Sequence, residues 1–476
     1  MNRKYKLLFI MLLVFAFQPG FAQRKSKKKA VKEEVIQPDI EYDSIEDALL
    51  NKNKVYTLNL ENQKLSIIPD AINKLQNLKV LKLSYNQLEN LPESLFDLKN
   101  LQKLYLTGNK LTEIPDGIGR LLNLNELKIQ ENKLTSISPE IGKLVHLENL
   151  LCGENQLTNI PSTIGSCMAL KNLDLFNNQI DSMPESIGKC TNIRMIDLNW
   201  NRLTSLPNGI CNLNQMEILR LGRNRLNSLP DNFGNLVKII ELVLAENQLV
   251  ELPESIGRLS GLNELILTKN KLARLPQSMG EMSNVKLLDV SQNQLEKLPE
   301  SLGNMVNLEE IYLNSNLLTE IKGETFNIPN LRILNLSLNK ITRFECNVDK
   351  CKLLKSIDFE MNKLTEFPND ITYVTSIVQL NFSKNHLTDI PKTILKLEYL
   401  KDLDFSQNKI VTLPMNLYQL NELQSLDLSN NELQIIPLNF NEAKSLSKLD
   451  LRGNPFYKWH LKQIKEKIAV KELLVD

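Results

Sequence analysis

The sequence predicts an α/β solenoid, a curved horseshoe of about 18 units with a parallel sheet on its concave side and a helical cap at each end. Three observations predict it. Asparagines recur every 23 residues from Asn86 through Asn109 and Asn132 to Asn454 without one inserted or deleted residue, and Gln63 holds the same place one period earlier, which makes 18 units. Each asparagine sits in a frame of Leu-x-Leu-x-x-Asn-x-Leu-x-x-Leu-Pro, as in residues 81–92 and 242–253. Within that frame, Leu81 and Leu83 alternate with Lys82 and Ser84, the period of two that buries one face of a strand. A chain of 476 residues would otherwise suggest about three domains, but a stack of repeats grows with a single continuous core.

Taken in chain order, residues 1–22 read as an export signal. Met1–Lys6 is basic, Leu7–Phe17 is an apolar run of eleven, Pro19 and Gly20 break a helix, and Gly20-Phe21-Ala22 offers a cleavage site before Gln23. The alternative is a membrane-anchoring helix, which takes about 20 apolar residues. Residues 23–43 read as a charged, disordered linker, with six Lys/Arg between Arg24 and Glu34. That run is either a solvated tail or a contact for anionic polymers and membranes. Residues 44–54 should form an N-terminal cap, because Ser44 and Asp47 resemble a capping box and Ile45, Ala48 and Leu49 share one helical face.

Residues 55–454 form the solenoid proper. The asparagine amide satisfies backbone groups where the chain turns, Leu88 and Leu91 continue the core, Pro92 sets the return segment, and Leu95 and Leu98 fill the convex layer. Eighteen strands spaced by about 4.8 Å give an inner arc on the order of 85 Å. Three repeats depart from the frame. Lys322 and Glu345 replace the proline, Thr325 replaces the following isoleucine, and a local change of curvature is expected around 322–351. Ser138-Pro139 shifts the proline by one residue while Ile141 stays in register. Residues 455–476 should form the C-terminal cap, with Leu461, Ile464 and Ile468 on one helical face and Trp459 in the cap's core.

The signatures Leu206-Pro207-Asn208-Gly209-Ile210 and Leu252-Pro253-Glu254-Ser255-Ile256 resemble the leucine-rich repeat superfamily. The 23-residue Leu-Pro-x-x-Ile class is the nearest, seen in Ras-suppressor-like and scribble-like proteins and in exported bacterial proteins. The resemblance covers about residues 44–476 and implies a non-enzymatic scaffold that binds a partner.

The chemistry of the sequence agrees with a scaffold. His146, His386 and His460 lie in separate repeats or in the cap, so no histidine cluster has metal-ligand spacing, and no cofactor, phosphate-loop or nucleophile motif is present. About 20 residues follow Asn454, too few for a catalytic module. Residues 35–476 carry 48 Lys/Arg against 54 Asp/Glu, a net charge of −6, which argues against a nucleic-acid partner. No stable membrane span is expected beyond the leader. Cys152, Cys167, Cys190 and Cys351 occupy core positions as small apolar residues. Cys167 and Cys190 are one period apart and could alternatively pair as a disulfide, while Cys211 and Cys346 have no evident role.

Function then rests on the concave face, where side chains four and two residues before each asparagine point outward and the residue just before it forms the rim. Most are small or polar. Leu151, Phe176, Trp200, Arg220, Arg223, Val243 and Ile266 break that rule together, flanked by Tyr105 and Tyr312. Aromatics with arginine on a rigid sheet are the residue types that dominate binding energy, and Trp200 beside Arg223 suits a cation–π pair. The competing reading is apolar drift at scattered surface positions. A column of Asp358, Asp404, Asp427 and Asp450, interrupted by Asn381, is either a cation or basic-partner site or a common filler. The expectation is a secreted, periplasmic or envelope-associated scaffold holding a protein or glycan. The alternatives are an intracellular Ras-suppressor-type scaffold for a phosphatase or small GTPase, and a structural envelope component.

Overall fold

The computed structural model describes residues 41–476. The expected leader (1–22) and the expected linker up to residue 40 lie outside the described residues. The horseshoe is a 20-stranded sheet whose neighbours all pair in parallel. Eighteen strands come from the repeats, and successive units are in register one period apart, so that Leu81 pairs Leu104 and Leu242 pairs Leu265. Each is about three residues long because the chain must bend at the asparagine. The leucines five and three residues before it, such as Leu81 and Leu83, are fully buried in one continuous core.

The asparagine ladder explains why the period tolerates no slip. Asn86 donates from Nδ2 to the Leu60 carbonyl in the preceding repeat at 2.7 Å and to the Leu83 carbonyl in its own turn at 2.9 Å. Its Oδ1 accepts the Leu65 N–H at 3.0 Å. Asn247 repeats the pattern on Leu221, Leu244 and Leu226, and so does Asn454 on Leu428, Leu451 and Leu433. One buried amide thus satisfies three backbone groups that no water reaches.

The residue before each asparagine is left-handed, with φ between 51° and 69° from Asn62 to Gly453. Gly108 and Gly453 suit that conformation, as do Asn62, Asn177 and Asn430, but most units place larger side chains there. The return segments are 15 short 3-10 helices, typically entered through proline, as at Pro115 before Asp116–Arg120 with Ile118 buried beneath. In many repeats they pack through glycine, and a Cβ added at Gly234 would lie 1.8 Å from the Ser255 carbonyl oxygen. Ser138-Pro139 keeps the same return helix, Pro139–Lys143, with Ile141 buried.

Repeats twelve and thirteen differ in kind. Without proline, Glu320–Gly323 and Arg343–Cys346 form a second, two-stranded parallel sheet on the return side. Beneath it Phe344 packs edge-on to Phe359, which stacks on Phe382 and then Phe405 at centroid distances of 5.1 and 5.4 Å. Cys346 ends the second strand as a buried residue, and Cys211 fills a position held by glycine in many other return helices. All six cysteines are buried and free. Cys167 and Cys190 are therefore not bonded, and each thiol donates to an isoleucine carbonyl, Ile141 and Ile164.

The N-terminal cap α1 (Ile45–Leu50) is capped by Ser44, whose hydroxyl accepts the Asp47 N–H at 3.2 Å, and buries Ile45 and Ala48. Residues just before Ser44 also belong to the fold, because Glu41–Tyr42 adds a strand against Thr57 and Leu58. Gln63, lacking the asparagine's geometry, instead donates to the Asp43 carbonyl at 2.7 Å and ties the cap down. The C-terminal cap α2 (Lys458–Lys467) buries His460 and Ile464, and Glu472–Leu474 then returns to extend the concave sheet. Trp459 is not in the cap's core: it is 59% exposed. The histidine takes the inner position because its Nε2 accepts the otherwise open Ile436 N–H at 2.9 Å.

Candidate functional site

Register places the expected site residues on one face. Along the position four residues before asparagine, Leu151, Asp174, Asp197, Arg220, Val243 and Ile266 pair as successive neighbours. Tyr105 lies beyond Lys128 and Tyr312 beyond Asp289, so both tyrosines flank the cluster. Phe176 sits half-buried two residues after Asp174 on the next column, and Val243 leans over Gly222, where an added Cβ would lie 3.2 Å from it.

Trp200 and Arg223 occupy the left-handed rim position in adjacent repeats, with φ of 59° and 57°. The Arg223 guanidinium lies 3.8 Å from the Trp200 ring centroid, the expected cation–π pair. Arg223 also meets Glu246 at 3.1 Å, and Glu246 meets Lys269 at 3.4 Å, so the rim ridge runs across four repeats. Trp200 remains 43% exposed.

Arg220 is differently engaged. Its Nε and Nη2 donate to the two Glu241 carboxylate oxygens at 2.6 and 3.2 Å, and its Nη1 reaches Asp197 at 3.2 Å. The fork is filled, and Arg220 braces three strands. Sequence reasoning missed Glu241 and Asp197 as its partners. The signal was the column six residues before asparagine, which puts Glu241 beside Arg220 one repeat on. Tyr105 is held similarly, its hydroxyl 3.2 Å from Glu126 and Lys128 over its ring at 4.6 Å. Burial and the Glu126 charge push its phenol up to about 12. The Tyr312 hydroxyl donates to Glu310 at 2.7 Å.

The acidic column has a local structural role. Asp358, Asp404 and Asp427 each accept the N–H two residues on, at 2.9, 2.8 and 2.9 Å, and Asn335 and Asn381 do the same at 3.0 Å. The shared feature is an Asx turn that ends each strand. Burial raises Asp358 to about 6, with the Glu360 and Asp404 charges adding to it. Among the described residues, no group of three or more His, Cys, Asp or Glu is placed to hold a metal ion. No helix among them is long and apolar enough to cross a membrane.

Residues 51–160 match the family described as leucine-rich repeat region, 112–233 the BspA type leucine-rich repeat region, and 260–318, 306–364 and 375–433 the leucine-rich repeat. A solved leucine-rich repeat protein of Leptospira interrogans is 31% identical over 93% of this chain and all of its own, with a TM-score of 0.58. The chain is a leucine-rich repeat protein. The Arabidopsis receptor kinase HAESA, solved with the peptide hormone IDA and a co-receptor, is 26% identical over 89% of this chain and 78% of its own, with a TM-score of 0.59. The Drosophila Toll–Spätzle complex, at 22% identity and a TM-score of 0.67 over 89% of this chain and 60% of its own, shares the fold. No curated protein matches the leucine-rich repeat chain.

Proposed function

We propose that this leucine-rich repeat protein is an exported, non-enzymatic scaffold that holds a partner, protein in preference to glycan, on its concave face. The observation that carries the reading is Trp200, a large exposed aromatic kept in a left-handed conformation and stacked by Arg223. Every unit is left-handed at this rim position, and Trp200 is the largest side chain that any of them places there. Val243, Ile266 and Phe176 supply apolar area beside it, while Arg220 stiffens the floor. The parallel ladder locks these groups before a partner arrives, so little ordering entropy is lost on binding. The peptide-bound HAESA structure supports a protein partner, and the match to BspA type repeats supports export.

The test is capture of partners from native envelope extracts by the wild type and by Trp200→Ala/Arg223→Ala. Capture is expected to fall at least about tenfold, as for truncated interface anchors, with the melting temperature nearly unchanged. Equal capture by the double variant rejects the assignment.

A further inference from the structure

The C-terminal cap carries a second surface that the concave site does not use. On α2 the buried side holds His460 and Ile464, and the opposite side presents Lys458, Trp459, Lys462 and Lys465. Trp459 is 59% and Tyr457 47% exposed, and their rings stack at 6.0 Å with an interplanar angle of 12°. The Tyr457 hydroxyl is anchored on Gln434 at 2.6 Å, so the pair is held in place by the last repeats. Neither ring is needed to cover the end of the core, because His460, Ile464 and Ile468 do that.

The charge on this surface is unusual for the molecule. Salt bridges elsewhere along the solenoid commonly join units one period apart, as in Arg194–Glu217 and Arg274–Glu251. Along α2 four lysines face one glutamate. Glu466 reaches only Lys462, at 3.8 Å, and among the described residues Lys458 and Lys465 have no carboxylate partner. The neighbouring acids are engaged, Glu472 by Lys448 and Asp476 by the Gly453 N–H. A net positive, aromatic-bearing surface therefore ends a body whose remaining charge is negative.

We infer that the cap face formed by Tyr457, Trp459, Lys458, Lys462 and Lys465 docks on an anionic lipid surface. Tryptophan and tyrosine settle at the headgroup level of a bilayer, where their apolar rings are buried and their polar edges stay wet. Lysines beside them gain from the negative surface potential, and their stems cover apolar area. The lysines and the indole lie along one side of a single exposed helix, a shape suited to a plane. Only the edge of the horseshoe would touch lipid, which leaves the concave face open.

Trp459 is one of two tryptophans, so Trp200→Ala makes it the sole indole reporter in the full chain. With vesicles of phosphatidylcholine plus phosphatidylglycerol, its emission should shift to the blue and be quenched by lipids brominated on their acyl chains. Phosphatidylcholine vesicles alone, or high salt, should abolish both signals. Changing Lys458, Lys462 and Lys465 to Gln in the same background should weaken the shift at least about tenfold, with an unchanged melting curve as the folding control. An emission that ignores anionic vesicles overturns the inference. So does a shift produced equally by a soluble anionic polysaccharide and not quenched by brominated lipid, which would reassign the face to a glycan.

Discussion

At the scale of single residues, two side chains make opposed predictions. Asn247 is bonded to the Leu221 and Leu244 carbonyls and to the Leu226 N–H. Asn247→Ala strands all three in a dry interior, and a loss of about 3 kcal/mol or more is expected in denaturant unfolding. Asp358 behaves in the other direction. Its folded-state value of about 6 lies above that of an unfolded aspartate. The stability contributed by holding its proton is complete below about pH 4 and is lost as the pH rises through about 6. Asp358→Asn keeps the turn, since Asn381 accepts the Ser383 N–H at 3.0 Å in the same way. The variant should gain on the order of 1–3 kcal/mol at neutral pH and lose the decline between about pH 4 and 6. Parallel pH profiles for the two proteins would refute this. The period in the sequence exposed both residues, but only the turn geometry distinguishes an acceptor for a backbone amide from an acidic ligand.

The close return helices set the prediction for elements. A methyl at Gly234 would meet the Ser255 carbonyl oxygen at 1.8 Å, whereas at Gly153 the nearest atom is 3.2 Å away. Gly234→Ala should therefore cost about 1–3 kcal/mol, and Gly153→Ala clearly less; equal melting temperatures would contradict the contact. Strand positions and register were legible because a period of two inside a period of 23 leaves one arrangement. The left-handed rim was hinted at only by Gly108, Gly453 and the asparagines at 62, 177 and 430. The strand pair 320–323 and 343–346 was not legible beyond the missing prolines, since losing a return helix does not say what replaces it. Trp459 was misplaced for a related reason. Helical spacing ranks positions by apolarity, and it does not reveal that an N–H at Ile436 needed the imidazole inside.

For the whole molecule, stability arises from stacking, and no disulfide contributes to it. Burial raises the Cys167 and Cys346 thiols to about 12 and those of Cys190, Cys211 and Cys351 to about 11. A reductant should therefore leave the melting curve unchanged, and a drop of several degrees would show a bond absent from this structure. The ladder also bears on how such a chain can lengthen over generations. Each asparagine reaches 26 residues back with its amide and 21 residues back with its oxygen. Duplicating one whole unit in the interior supplies every donor with a new acceptor at the same offset. Inserting a single residue breaks both offsets at once and turns the following strand inside out. Inheritance in steps of 23 is therefore the tolerated mode of growth, and a gene encoding this chain should gain or lose whole repeats far more readily than single codons.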